Sequence, residues 1–102
     1  LPSIFLLTRD KIEQVKTIYS LIDISILINN FLNTTNNGVV LLDGFEYLTA
    51  NHGFNSFLKF LQLTKNRFER FKGILIAPII KEAFDLKEIK LIEREMAIVL
   101  IT

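Results

Sequence analysis

Residues 38–48 read Gly-Val-Val-Leu-Leu-Asp-Gly-Phe-Glu-Tyr-Leu, and this stretch decides the fold of the chain. It holds four apolar residues in an unbroken run that stops at Asp43 and Gly44. An apolar run of this length between glycines is typical of a strand that is buried on both faces of a parallel sheet. Parallel sheets carry functional groups just beyond the carboxyl ends of their strands. The sequence therefore predicts a central strand with Asp43 at the rim of the sheet.

Two other apolar runs predict the outer strands of the same sheet. They cover residues 4–7 and 74–77, and Pro78 ends the second run because proline has no N–H for a sheet ladder. Apolar residues at helical spacing predict helices over 23–32, 54–71 and 85–96. Strands that alternate with helices are typical of parallel βαβ units. The predicted fold is a single α/β domain over residues 1–102, a Rossmann-like or RecA-like fragment in which helices flank a small parallel sheet of three or four strands.

Capping residues mark the ends of these helices. Asp23 is the predicted N-cap of the first helix, because its carboxylate can accept backbone N–H bonds. Gly73 ends the second helix. Asp85 and Glu88 form a capping box at the start of the third.

Two segments fit more than one structure. Residues 11–19 fit a helix with Ile12, Val15 and Ile18 on one face, and they fit equally a loop that leads to an extended segment at 17–19. The apolar tail 97–102 fits a continuation of the last helix or a further strand. In either form we expect the tail to pack on other apolar surface.

Composition excludes several classes of function. The 102 residues contain no cysteine, which excludes disulfide scaffolds and cysteine-based metal or redox sites. A net charge of +1 gives no electrostatic footprint for nucleic acid, and the cations of the helix 54–71 are expected to form a solvated face. No apolar run is long enough to span a bilayer. We expect a cytoplasmic domain that is the C-terminal part of a longer protein, with any membrane tether outside this chain.

Three segments together resemble a known family. Residues 39–48, 51–54 and 57–61 carry an Asp-Gly pair, an acidic-aromatic-leucine turn and an Asn-His-Gly-Phe helix start. They resemble an archaeal family known as domain of unknown function 835, and residues 8–9 and 91–95 resemble the end of its first strand and its last helix. His52 departs from the family pattern by separating Asn51 from Gly53. The resemblance implies a distantly RecA-like fold and a place in longer archaeal proteins, some of them membrane-anchored or signalling-related. It implies no activity.

An apolar strand that ends in aspartate also resembles the strand that helps to hold Mg²⁺ in RecA-like ATPases. Such an enzyme needs a glycine-rich phosphate loop with a following lysine. None of the four glycines is followed by lysine, so the loop is absent. We therefore predict no enzyme and no cofactor, and keep a degenerate RecA-like nucleotide- or phosphate-binding domain as the alternative.

The residues around the predicted strand end form a polar rim, which is the candidate working surface. Asp43 is expected to cap the turn or helix that follows it and to pair with Arg9, if both strands end at the same edge. His52 is the only histidine and cannot make a zinc site alone. The rim residues are Arg9, Asp43, Glu46, Tyr47, Asn51 and His52.

No complete catalytic constellation accompanies this rim. The sequence therefore predicts a noncatalytic regulatory or protein-interaction module, whose partner is another protein or the rest of its own polypeptide. A homodimer that uses the apolar tail is a further alternative.

Overall fold

The computed structural model describes residues 3–8, 11–15, 20–35, 37–96 and 100–101. Its strands are β1 (Ser3–Leu7), β2 (Ile12–Val15), β3 (Val39–Asp43), β4 (Ile74–Ile76), β5 (Pro78–Ile79) and β6 (Leu100–Ile101). Its helices are α1 (Leu21–Thr34), α2 (Phe45–His52), α3 (Phe54–Phe71) and α4 (Leu86–Glu95), and a 3₁₀ turn at Lys81–Ala83 precedes α4.

Strands β1 to β4 form a mixed sheet in the order β2-β1-β3-β4. β1 is antiparallel to both of its neighbours, and in this sheet only β3 and β4 run parallel. The domain is α/β as predicted, but the prediction of a small parallel sheet is wrong. Residues 12–15 form an antiparallel strand where a helix or loop was expected. This extra strand reverses the chain before α1, so that β3 runs opposite to β1.

A tight turn produces the unexpected strand β2. The backbone N–H of Thr8 donates to the carbonyl oxygen of Lys11 at 2.8 Å, and the Thr8 hydroxyl donates to the same oxygen at 3.3 Å. β2 then pairs along the whole of residues 4–7. It is an edge strand with exposed side chains at residues 12–14, so it needs no apolar alternation. The alternative of an extended segment at 17–19 lies outside the described residues.

The helices cover one face of the sheet. Ile4, Leu6, Val40 and Leu42 point to that face and are at most 6% exposed. Residues 5, 7, 39 and 41, which alternate with them, are only half-buried. The buried residues of β1 and β3 form one core cluster with those of α1 to α4, and α3 packs against α1, α2 and α4, so the described helices lie on that face. The prediction that the central strand is buried on both faces is therefore wrong.

The core of the helical layer lies where α2 meets α3. The rings of Phe45 and Phe57 are both fully buried and meet edge to face, with 4.7 Å between their centroids. Gly53 separates the two helices with a φ of 84°, a conformation that side chains with a Cβ rarely adopt. This junction between α2 and α3 fixes the position of α2, and with it the position of the chain that follows Asp43.

The helix caps are only partly as predicted. Ser20, and not Asp23, is the N-cap of α1, because the Ser20 hydroxyl oxygen accepts a bond from the Asp23 N–H at 3.1 Å. The predicted capping box of α4 is confirmed. Asp85 Oδ1 accepts from the Glu88 N–H at 2.8 Å, and Glu88 Oε1 accepts from the Asp85 N–H at 3.0 Å.

The end of the tail forms a strand, as one of the two alternatives predicted. Leu100 and Ile101 pair in parallel with Pro78 and Ile79 of the same chain. Pro78 begins β5 and so takes a position where a sheet accepts proline. Residues 97–99 and 102 of the predicted tail lie outside the described residues. Because β6 pairs within its own chain, the tail is a weaker basis for a dimer.

Candidate functional site

Asp43 is the last residue of β3 and is exposed at the edge of the sheet. The N-cap of α2 is Gly44, with a φ of 115°, and no side chain caps the helix. The prediction that Asp43 caps the helix that follows is therefore wrong. Asp43 pairs across the sheet with Ser3, the first residue of β1. It stands at a corner of the sheet, directly before a helix that begins without a capping side chain.

The register of β1 and β3 removes the basis for an ion pair between Arg9 and Asp43. Leu7 ends β1 opposite Val39, at the start of β3. The carboxyl ends of these two strands therefore lie at opposite edges of the sheet, because the strands are antiparallel. Arg9 itself lies outside the described residues.

The other predicted rim residues all lie on α2. Glu46 and Tyr47 are in its first turn, while Asn51 and His52 are in its last turn, about 8 Å farther along the axis. Tyr47 and Asn51 are exposed, and Glu46 and His52 are half-buried. The structure thus places these residues on one short helix, where the 3.6-residue turn spreads them around much of its circumference. Neither of the two grooves described below includes any of them.

Two buried oxygens on α2 have no hydrogen-bond partner among the described residues. They are Glu46 Oε2 and Thr49 Oγ1. Residues three apart lie on the same side of a helix, so these atoms share one face of α2. A buried oxygen without a partner costs free energy, and such atoms are uncommon in folded proteins. Sequence reasoning found Glu46 but missed Thr49, because nothing in the sequence marks which side of a short helix is buried.

The Thr49 hydroxyl gives a prediction about stability. Thr49→Val removes the unpaired oxygen and keeps the shape of the side chain. We expect the free energy of unfolding to rise by about 1 kcal/mol. Thr64→Val is the matched control. Thr64 is 2% exposed, and its hydroxyl, unlike that of Thr49, has a partner, because it donates to the Phe60 carbonyl at 2.8 Å. Urea unfolding of both variants measures the change, and a loss of stability in Thr49→Val would contradict the prediction.

The described part of the chain holds no cluster of three or more His, Cys, Asp or Glu side chains that could bind a metal ion. Asp43 and Glu46 therefore lack a third acidic or histidine ligand among those residues. No helix within the described residues is both long and apolar enough to cross a bilayer.

The face of the sheet opposite the helices is lined mostly by apolar side chains. We call it the open face. Its side chains form two rows that cross all four strands, because each residue faces its paired neighbour in the adjacent strand. The first row is Ile12, Leu7, Val39 and Ile74, and the second is Gln14, Phe5, Leu41 and Ile76.

Seven of these eight side chains are apolar, and the outer ones are well exposed. Ile12 on one edge strand is 69% exposed, and Ile74 on the other is 56% exposed. Beyond the two rows lie Ser3 and Asp43, which pair with each other. The sequence contains the signal for this face, since the run at 39–42 is apolar on both sides of the strand. The prediction that both faces are covered misinterprets this signal.

A groove continues the apolar surface around the edge strand β4. It has a volume of about 740 Å³ and lies between α3, β4 and the end of α4. Lys65 and Glu95 line it and form an ion pair with 3.8 Å between Nζ and Oε2. Most of its wall is apolar, including Ile74 and Ile76. The apolar surface is therefore continuous from the open face to the edge of the sheet.

Comparison with known proteins places the chain in a family. The family model described as "Protein of unknown function (DUF835)" matches residues 3–96, and so covers β1 to α4. No curated protein and no solved structure matched the chain in the corresponding searches. Because the match spans nearly all of the sequence, this chain belongs to the DUF835 family of proteins of unknown function.

Proposed function

We propose that this domain is a noncatalytic protein-interaction module whose open face packs against the open face of a second copy of the chain. One observation carries the proposal, namely the two apolar rows that cross four strands with no described helix above them. Burying one large apolar side chain stabilises a protein by about 1.5–3 kcal/mol. The largest contiguous apolar patch on a typical monomer covers about 300–600 Å² and is often functional.

The charge distribution favours a second copy as the occupant. In a two-fold dimer the same face meets itself and residues near the axis lie beside their own counterparts, so a charge at the centre of the face would meet itself. The two rows contain no charged side chain, and the net charge of each copy is only +1. Repulsion between copies is therefore small, and an uncharged apolar face is complementary to itself.

Asp43 fits this arrangement as part of the margin of the interface. Protein interfaces have an apolar centre and a polar, solvent-accessible rim. Asp43 lies on the open face beyond the second row, at a corner of the sheet. Asp43 would then adjust which copies associate, while the apolar rows supply the free energy.

The size of the open face determines the expected affinity of the dimer. Four strands about 4.8 Å apart, with about five residues of 3.3 Å each, give a footprint of about 300 Å². A stable standard interface buries about 800 Å² on each partner. The dimer is therefore expected to be reversible, with a dissociation constant on the order of micromolar or weaker.

Sedimentation velocity over concentrations from the micromolar to the millimolar region tests the proposal. The expected mass rises from that of an 11.8 kDa monomer towards twice that value. Ile12→Asp and Ile76→Asp change exposed residues on opposite edge strands of the open face, and both are expected to remain monomeric. Leu86→Asp, at an equally exposed residue on α4, is the control and should dimerise like the wild type.

Two outcomes would contradict this proposal. A wild-type chain that stays monomeric at all concentrations would assign the open face to another protein or to another part of the polypeptide. A dimer that is weakened by Ile76→Asp but not by Ile12→Asp would indicate pairing between β4 edges, because Ile12 lies on the opposite edge of the sheet. Thermal unfolding of each variant checks that the fold is intact.

The alternative, a degenerate RecA-like nucleotide- or phosphate-binding domain, is supported by Asp43 at the end of an apolar strand. No second observation within the described residues favours it. Association through the open face has the support of seven apolar side chains on four strands, so we prefer it.

A further inference from the structure

A second apolar surface lies on the other side of the domain, between α1 and α3. The two helices form a groove of about 440 Å³. Three large apolar side chains on its walls are well exposed: Ile22 is 71% exposed, Ile26 54% and Leu63 59%. The sheet lies beneath these helices, so this groove is separate from the open face.

The groove is basic as well as apolar. Lys59 and Arg67 of α3 line it, and no carboxylate of the described chain does. One guanidinium nitrogen of Arg67 donates to the carbonyl oxygen of Ser25 at 3.2 Å, which holds this side chain against α1. A guanidinium has five N–H donors, so Arg67 keeps others for a ligand. The surface thus combines exposed apolar side chains with two cations, one of which is held in position.

We propose that this groove binds an amphipathic helix of a partner protein, with the apolar side of that helix in the groove and carboxylates along its flanks. Helices that bind in grooves place apolar residues at i, i+3 or i+4, and i+7. The lining residues of α3 run from Ser56 to Arg67, which is about 16 Å or three helical turns. Carboxylates beside the apolar stripe would meet Lys59 and Arg67.

Charge complementarity selects this occupant over a second copy of the chain. In a two-fold contact the same groove would face itself, so the cations Lys59 and Arg67 of one copy would face those of the other, and like charges in an interface are unfavourable. Asp23 is the only charged residue of α1, so α1 provides almost no compensating charge. An acidic helix satisfies both cations and covers the three exposed apolar side chains.

Two designed peptides of about 14 residues test the proposal with the full chain. Both carry the same leucine stripe, and their flanks are glutamate in one and lysine in the other. Fluorescence anisotropy should show that the acidic peptide binds at least about tenfold more tightly than the basic one. Leu63→Asn should weaken its binding at least about tenfold, and Lys59→Glu should remove most of the preference for acidic flanks.

Matched controls separate this groove from the rest of the surface. Leu86→Asn changes an exposed leucine outside the groove and should bind the acidic peptide like the wild type. Ile76→Asp should also bind it normally, because the open face and this groove are independent. A failure of dimerisation therefore leaves this proposal unaffected.

Several results would overturn the proposal. They are equal affinity for the two peptides, no detectable binding of the acidic peptide, or the same loss of binding in Leu86→Asn as in Leu63→Asn. Binding to phosphatidylserine vesicles that Leu63→Asn abolishes, with no binding of the acidic peptide, would assign the groove to an anionic lipid surface instead.

Discussion

Replacing Phe57 with alanine is expected to lower the free energy of unfolding by about 3–5 kcal/mol. Phe57 is fully buried, and its ring contacts those of Phe45, Phe54 and Phe60 at centroid distances of 4.7, 6.3 and 6.3 Å. Three aromatic neighbours cannot all collapse into the space left by one ring, so a cavity remains. Since small domains are stable by only about 5–15 kcal/mol, the variant should be close to unfolding.

Urea unfolding followed by circular dichroism measures this effect. We expect the midpoint to fall without a change in the denaturant slope, and the melting temperature to drop by more than about 10 °C. Leu63→Ala on the same helix is the control, because Leu63 is 59% exposed. Its effect should stay within about 0.5 kcal/mol. A loss below about 1 kcal/mol in Phe57→Ala would mean that the corner between α2 and α3 is not a principal source of stability.

The elements with strong local patterns were predictable from the sequence. The apolar run of β3 and the helical spacing of α1, α3 and α4 identify these elements. Strand β2 was missed because Ile12 and Val15 are three residues apart with polar residues between them, which also fits a helix. An edge strand with one solvated side can carry this pattern, because sheet pairing and not burial holds it in place.

The direction of β1 was not predictable from any local pattern. Strand direction depends on how many times the chain reverses, so missing β2 made β1 parallel and placed its carboxyl end on the same edge as Asp43. The ion pair with Arg9 followed from that error. Burial of β3 on both faces was inferred only from the unbroken apolar run at residues 39–42. The same run also fits a sheet with one apolar face left open for association.

For the candidate site too, sequence identifies local features but not those that depend on topology. Asp43, Glu46, Tyr47, Asn51 and His52 are close in sequence and lie on one strand end and on the helix after it, because α2 immediately follows β3. The open face could not be found in this way. It combines residues from four strands between positions 5 and 76, and their alignment depends on register. Surfaces built from one short segment can be inferred from sequence, whereas those built across strands need the topology.

Gly73→Ala is expected to destabilise the domain by about 1–3 kcal/mol, for a steric reason. A Cβ at this position would lie 2.7 Å from Leu32 Cδ2, 3.0 Å from Phe68 Cδ1 and 3.1 Å from the carbonyl oxygen of Gly38. Leu32 is 2% exposed and Phe68 is 6% exposed, so neither has free space into which to move. The left-handed residue that ends α3 is Lys72, with a φ of 56°, so Gly73 is needed for space and not for its φ.

The close contacts around Gly73 also affect the position of a side chain on the open face. The N–H of Ile74 donates to the Gly38 carbonyl oxygen at 2.9 Å, which begins the pairing of β4 with β3. A methyl group that pushes against this oxygen would displace the start of β4, and with it the exposed Ile74. We therefore expect Gly73→Ala to weaken dimerisation as well as stability.

A double-mutant cycle distinguishes steric crowding from backbone strain. In a Leu32→Ala background the closest contact is gone, so Gly73→Ala should cost less than it does in the wild type. Gly53→Ala is the matched control: it has no neighbour within 4 Å of an added Cβ, and its cost comes from a φ of 84°. That cost, about 1–3 kcal/mol, should be the same in both backgrounds. Equal costs for Gly73→Ala in the two backgrounds would contradict the steric explanation. The cost would then come from backbone strain at the junction between α3 and β4.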